Sequence, residues 1–223
     1  MAKLLDDFNI SDLQYAKYEK YFQLLNEKNK VMNLTAIDDY EGVFIKHFYD
    51  SLLLTNITKE YNNLIDVGSG AGFPGMVLSI YDESKNVTLL EPTTKRCKFL
   101  ELVKDELNLS NVSIINNRAE NLKNKYFKYA TARAVAQINV LLELIVPLLE
   151  VGGMFYCLKG SNYQEELEIA ENAIKELNVE IKNIYHFELP MNLGKRVIIV
   201  FEKKKKTNTK YPRTYANIVK KPL

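Results

Sequence analysis

The chain has no tryptophan, two cysteines and two histidines among 223 residues. Cys97 and Cys157 stand sixty residues apart with no Cys-x-x-Cys spacing. That argues against a disulfide framework and against a cysteine zinc site; no metal is expected, and a reducing cytoplasm is the expected compartment. With so few histidines there is no His/Asp/Ser arrangement, which makes a hydrolase a poor reading. Long apolar runs are missing too. The best stretch, 141–151, is broken by Glu143, Pro147 and Glu150, whereas a bilayer span needs about 20 apolar residues. No membrane partner is expected. The start of the chain turns acidic at Asp6 and Asp7, unlike a secretory signal. Internal repeats and Gly/Ser linkers are absent.

What is present fits one compact α/β domain with a short appendage: 47% apolar and 26% charged residues, near the average for globular chains. The net charge of +2 hides an asymmetry. Residues 203–223 hold eight basic side chains (Lys203, Lys204, Lys205, Lys206, Lys210, Arg213, Lys220 and Lys221) and no acid. The first 202 residues carry 22 basic against 28 acidic groups, a net of −6. A basic end on an acidic body suits a polyanionic partner; the alternative is a solvated, frayed terminus.

The first 60 residues read as helical. Ser11 is placed to cap a helix carrying Leu13, Tyr18, Tyr21, Phe22, Leu24 and Leu25 at helical spacing. A second helix is expected from Tyr40 to Leu54, with Val43, Phe44, His47, Phe48 and Ser51 along one face and Asp50 as a partner of His47 on that helix. From Leu64 the texture changes. Short apolar runs (64–67, 87–90, 112–115, 129–132 and 154–158) alternate with helical stretches, notably 95–107, 137–149 and 163–177. Such alternation predicts a parallel sheet covered on both faces. The last two runs, 181–187 and 197–201, have no helix between them and require an antiparallel connection. An α/β fold with a mostly parallel seven-stranded, Rossmann-like sheet, a C-terminal antiparallel hairpin and an N-terminal helical extension resembles the class I methyltransferases. The expected segments are 1–60 (helical extension), 61–202 (methyltransferase domain) and 203–223 (basic tail).

The strongest local signal is Asp66-Val67-Gly68-Ser69-Gly70-Ala71-Gly72-Phe73-Pro74-Gly75. Four glycines in eight residues let a ligand approach the backbone closely, and a following helix N-terminus offers free N–H groups. Gly70-x-Gly72-x-x-Gly75 satisfies dinucleotide spacing, while Gly68-x-Gly70-x-Gly72 after Asp66 suits S-adenosylmethionine. Two features favour the second ligand. Asp66 would repel a pyrophosphate yet can accept from water or a ligand ammonium, and the usual dinucleotide fold lacks the terminal hairpin. Glu91 closes the next strand, where a carboxylate can accept ribose hydroxyls of either cofactor.

A closer resemblance is to the RsmG family, also called glucose-inhibited division protein B. It is carried by Asn33-Leu34-Thr35, His47-Phe48-Tyr49-Asp50-Ser51-Leu52, the loop 66–75, Thr94-Lys95-Arg96, Phe99-Leu100, Arg118-Ala119-Glu120, Ala132-Arg133-Ala134-Val135-Ala136, Gly152-Gly153, Lys159-Gly160, Tyr211-Pro212-Arg213 and Lys221-Pro222-Leu223. The order covers nearly the whole chain. Phe127-Lys128-Tyr129 and Glu91-Pro92-Thr93-Thr94 depart from the commoner Phe-Asp-Val and Asp-Ser-Leu-Asn.

The resemblance implies S-adenosylmethionine-dependent methylation of guanine N7 in small-subunit ribosomal RNA, with the RNA or the subunit as partner. It assigns Gly68, Phe73, Ala119, Glu120 and Arg133 to the cofactor and Arg118 and Lys159 to the RNA side; the loop and strand-end reading adds Gly70 and Glu91 to the cofactor, and Arg196 and His47 are further candidates on the RNA side. Arg196 reads equally as a salt-bridge partner, and His47 as a hydrogen-bonded core histidine. Guanine N7 bears a lone pair and no proton, so no general base is needed and positioning carries the chemistry. Tyr211 and Tyr215, set among the terminal lysines, are candidates for stacking on RNA. A monomer is expected. The rival readings are a nicotinamide-dependent oxidoreductase and a non-catalytic RNA-binding protein on the same scaffold.

Overall fold

The computed structural model describes residues 4–58, 61–122 and 125–223. Helix α1 (Asp12–Met32) starts at a reciprocal cap: Gln14 N donates to Ser11 Oγ at 3.2 Å, and Ser11 N donates to Gln14 Oε1 at 2.8 Å. It stops at Asn33, which takes the left-handed conformation (φ 50°). The expected helix over 40–54 is composite. Asp39 caps α2 (Tyr40–Val43), a π-helical stretch Phe44–Tyr49 follows, and α3 (Asp50–Leu52) and a 3-10 turn (Leu53–Asn56) complete it. A π-helical insertion shifts the side chains that follow it around the axis, a feature common at functional sites.

The strands are β1 (Asn63–Val67), β2 (Asn86–Leu90), β3 (Val112–Ile115), β4 (Phe127–Arg133), β5 (Leu149–Lys159), β6 (Val179–Glu188) and β7 (Lys195–Lys203). They form one sheet in the order β3-β2-β1-β4-β5-β7-β6. The first five run parallel, and β7 lies antiparallel between β5 and β6. The terminal hairpin expected from the missing helix is therefore present. Alternation within each strand feeds two cores. Leu64, Leu158, Ile198 and Val200 face one, and Ile65, Cys157, Ile199 and Phe201 face the other.

Against the first core pack α1, the run 40–56, α4 (Gly75–Tyr81) and α5 (Thr94–Glu106). Against the second pack α6 (Ile138–Ile145), α8 (Glu171–Glu176) and α9 (Tyr215–Lys220), with α7 (Tyr163–Ile169) alongside. The stretch 137–149 is helical only to Leu148, because Leu149 opens β5, and 163–177 breaks at Ala170.

Both end segments pack with the body of the fold. In the N-terminal helical extension, Tyr18, Tyr21, Phe44 and Phe48 are fully buried in the core that α4 and α5 share. The 203–223 segment is likewise anchored. Lys203 is buried, and its Nζ donates to Val146 O and Leu149 O at 2.8 and 2.7 Å. Arg213 Nε and N both donate to Oε1 of the fully buried Glu143, at 2.7 and 3.0 Å, and Ile218 is buried against α6. Desolvation pushes the Lys203 amine from 10.5 down to about 8. Composition alone did not reveal that this segment's basic residues are partly neutralised inside the fold.

Candidate active site

The C-terminal ends of β1, β2 and β4 open on a cavity of about 540 Å³, within the size range of small-molecule sites, roughly 300–1,000 Å³. Gly68, Gly70, Phe73, Glu91, Arg118, Ala119, Glu120, Arg133 and His47 all line it. Nine of the eleven residues singled out from the sequence thus meet at one place. The loop after β1 is held from three sides. Gly68 N and Ser69 N donate to Leu90 O at 2.8 and 3.2 Å. Gly70 N donates to Glu91 Oε2 at 3.0 Å. Tyr21 Oη, from α1, donates to Ala71 O at 2.5 Å. The Phe73–Pro74 peptide is cis.

Gly68 has φ +76°, and a Cβ there would sit 2.6 Å from Val135 Cγ2. Only glycine suits that conformation and that approach. At Gly70 (φ +60°) a Cβ would meet nothing closer than a carbonyl at 3.9 Å. Here the backbone is bare toward the cavity, as a ligand cradle requires.

Glu91 is 2% exposed. Its Oε2 accepts from Gly70 N and its Oε1 from Thr93 N at 2.8 Å, which leaves lone pairs for a ligand's hydroxyls. Asp66 is placed differently from expectation. Oδ2 accepts from Gly75 N at 3.0 Å beneath the loop, and Asp66 does not line the cavity. Burial raises its carboxyl to about 6. Its part is to hold the loop, not to meet a ligand ammonium.

Arg133 leaves β4 and points to the 40–56 run. Nη1 donates to Asp50 Oδ2 at 2.8 Å and to Lys46 O at 3.0 Å, and the guanidinium lies 5.1 Å from the Phe73 ring centre. The His47 ring stacks on the other side chain of this group, Phe73, at 4.4 Å and 24°. Arg133 Nη2 lies 3.2 Å from His47 Nδ1. Nδ1 also lies 3.1 Å from Lys46 O, and Nε2 lies 2.8 Å from Thr35 Oγ1, so both ring nitrogens are engaged. Burial, followed by the Arg133 charge, lowers His47 to about 3, so the ring stays neutral at physiological pH. Asp50, expected as a partner of His47, instead bridges Arg133 and Arg196, whose Nε lies 3.1 Å from Oδ1.

Lys159 and Arg196 do not reach the first cavity. They line a second of about 570 Å³, which shares His47, Arg133, Ala134 and Val135 with the first. The Lys159 amine is largely buried and held by Ala136 O at 2.7 Å and Glu166 Oε2 at 2.5 Å. It is therefore not a free RNA contact. Arg118 is exposed, 5.4 Å from the Tyr215 ring. Tyr215 itself lines the cofactor-sized cavity and is exposed at its rim. Asn117, Thr93 and Glu166 were missed by sequence reasoning, since nothing in their spacing marks them.

Strand order, loop and terminal carboxylate together define a class I, S-adenosylmethionine-dependent methyltransferase. A profile described as "GidB: rRNA small subunit methyltransferase G" matches residues 14–196. The chain belongs to that family. It is 42% identical to ribosomal RNA small subunit methyltransferase G of Carboxydothermus hydrogenoformans, over 92% of this chain and 90% of the relative. To the protein of the same name from Fusobacterium nucleatum it is 45% identical, over 92% and 89%. Among solved structures, a methyltransferase from Pyrococcus furiosus shares the fold with a TM-score of 0.60 at 14% identity, covering 85% of this chain and 100% of that one.

Proposed function

We propose that this chain methylates N7 of a specific guanine in 16S ribosomal RNA, using S-adenosylmethionine, by in-line transfer without a general base. The observation that carries the reading is the pair of cavities joined at His47, Arg133, Ala134 and Val135. One is built for the cofactor and the other is available to a base. Gly68, Gly70 and Phe73 would hold the cofactor from the loop, Glu91 its ribose, and Ala119 and Glu120 its adenine. When bound, the cofactor supplies an electrophilic methyl group. N7 needs no deprotonation, so none of the groups around the junction of the cavities is called on as a base: His47 is neutral with Nδ1 engaged, and Glu91 already accepts two backbone N–H groups.

Arg133 and Arg196, neutralised by one carboxylate between them, keep further N–H donors for a phosphate or guanine O6. Among the described residues no helix is long and apolar enough to cross a membrane; a cytoplasmic monomer acting on the small subunit or its RNA is the reading we adopt. A nicotinamide oxidoreductase is not favoured, because β7 sits antiparallel between β5 and β6.

The test is methyl incorporation from labelled S-adenosylmethionine into small-subunit RNA and subunits from a strain lacking the enzyme. Incorporation at one guanine, with strand scission chemistry specific for N7-methylation, is expected. No incorporation into either substrate would leave only the non-catalytic scaffold reading. Tighter binding of NADH than of S-adenosylhomocysteine would favour the oxidoreductase.

A further inference from the structure

Glu166 lies in the first turn of α7, and its side chain reaches the start of α6. Oε2 accepts from Ile138 N at 3.0 Å and from Lys159 Nζ at 2.5 Å. Lys159 is itself fixed by Ala136 O. Oε1 makes no such contact among the described residues, and Glu166 lines the second cavity. One oxygen of the carboxylate is thus locked in place and the other is left to a ligand.

A second observation marks the same place. Ala134, which borders both cavities, holds φ +56° although it is not glycine. A left-handed alanine costs about 1 kcal/mol and persists where the surroundings impose it, often at a functional site. The strained residue forms the shared wall between the loop cavity and Glu166.

The chemistry of guanine suits this arrangement. N7 and O6 occupy one edge of the base; N1–H and the 2-amino group, both donors, occupy the opposite edge. A base that turns N7 to the cofactor cavity turns those donors away from it. Adenine presents a lone pair at N1, which a carboxylate repels. A site that hydrogen-bonds a group of its substrate rejects the analogue lacking it far more strongly than a merely shaped pocket does.

We propose that Glu166, fixed by Ile138 N–H and Lys159 at the wall of the second cavity, accepts from N1–H and the 2-amino group of the target guanine through Oε1 and so selects guanine. The proposal rests on the guanine-N7 reading above. Lys159 becomes a positioning residue for Glu166, and the orientation of the carboxylate, not a lysine–phosphate contact, is its contribution.

The test uses the full-length protein and small-subunit RNA whose target guanosine is replaced by inosine, which keeps N7, O6 and N1–H and lacks the 2-amino group. A charge-assisted hydrogen bond sets the native guanosine-over-inosine preference in kcat/KM at roughly ten- to a hundredfold. In Glu166→Gln the carboxamide still accepts from Ile138 N and turns its amino group to the cavity. The preference should then fall to about onefold, with S-adenosylhomocysteine affinity unchanged. A merely structural role would lower both substrates together and leave the ratio intact, which would overturn the assignment. Equal use of inosine and guanosine by the native protein overturns it without any variant, so a misfolded Glu166→Gln does not shelter it. Failure of the native protein to methylate the guanosine RNA at all would instead remove the guanine-N7 reading, and this inference with it.

Discussion

Arg133, at the end of β4, and Asp50, on the helical run before the sheet, meet at 2.8 Å across 83 residues of sequence. The contact ties the helical extension to the floor of the site. Asp50 is 4% exposed and also pairs with Arg196.

Asp50→Ala should leave two largely buried guanidiniums without their counter-charge, a loss of about 3 kcal/mol. Urea unfolding measures it. Because Arg133 also lies over Phe73, the KM for S-adenosylmethionine should rise in the same variant. An unchanged unfolding midpoint would mean the bridge contributes nothing.

Gly68→Asp places a side chain at φ +76° and into Val135, beside the Glu91 carboxylate. Cofactor affinity should fall at least about tenfold by calorimetry. Retained affinity would show that the ligand does not lie on this loop.

His47 gives the protein an acid-sensitive component. Its folded value, about 3, is below its ordinary 6.5. Between those values the unfolded chain binds the proton and the folded chain does not, so stability falls as the pH drops from 6.5 toward 3, by up to about 1.4 kcal/mol per pH unit. Above pH 6.5 His47 adds no pH dependence to stability, and activity should show no inflection from it there. His47→Gln should flatten the acid side of a stability–pH curve; an equally steep curve would count against a neutral buried ring.

Lys203 acts on the alkaline side. Its amine is lowered from 10.5 to about 8. Between pH 8 and 10.5 the unfolded chain holds the extra proton, so this group's penalty is complete below pH 8 and is relieved as pH rises, by about 1 kcal/mol per pH unit. Lys203→Met should remove that rise relative to the native protein in thermal unfolding measured at several pH values. Lys203→Glu should prevent folding rather than weaken RNA binding, which separates it from substitutions at the exposed Lys205 and Lys206. Those two should raise the RNA KM and flatten its salt dependence, with cofactor affinity unchanged.

The sequence by itself determined the sheet and the loop. Apolar runs of four or five residues between amphipathic stretches specify buried parallel strands. The missing helix between 187 and 197 specifies the hairpin, and four closely spaced glycines specify a bare backbone after β1. These are local signals, written in periodicity and in the conformational range of single residues. Glu91, Ala119, Glu120 and Arg133, singled out in the sequence, line one cavity.

Only the tertiary structure decided the partners of the charged residues. Asp50 belongs to two arginines from β4 and β7 rather than to the histidine three positions before it, Lys159 belongs to Glu166, and Asp66 holds Gly75 instead of a ligand. A charge carries no periodic signature, and its partner is set by which strand ends the sheet order brings together. For the same reason the sequence leaves the lysine-rich end open between a polyanion-binding segment and a solvated terminus, whereas burial of Lys203 and Glu143 anchors it onto α6.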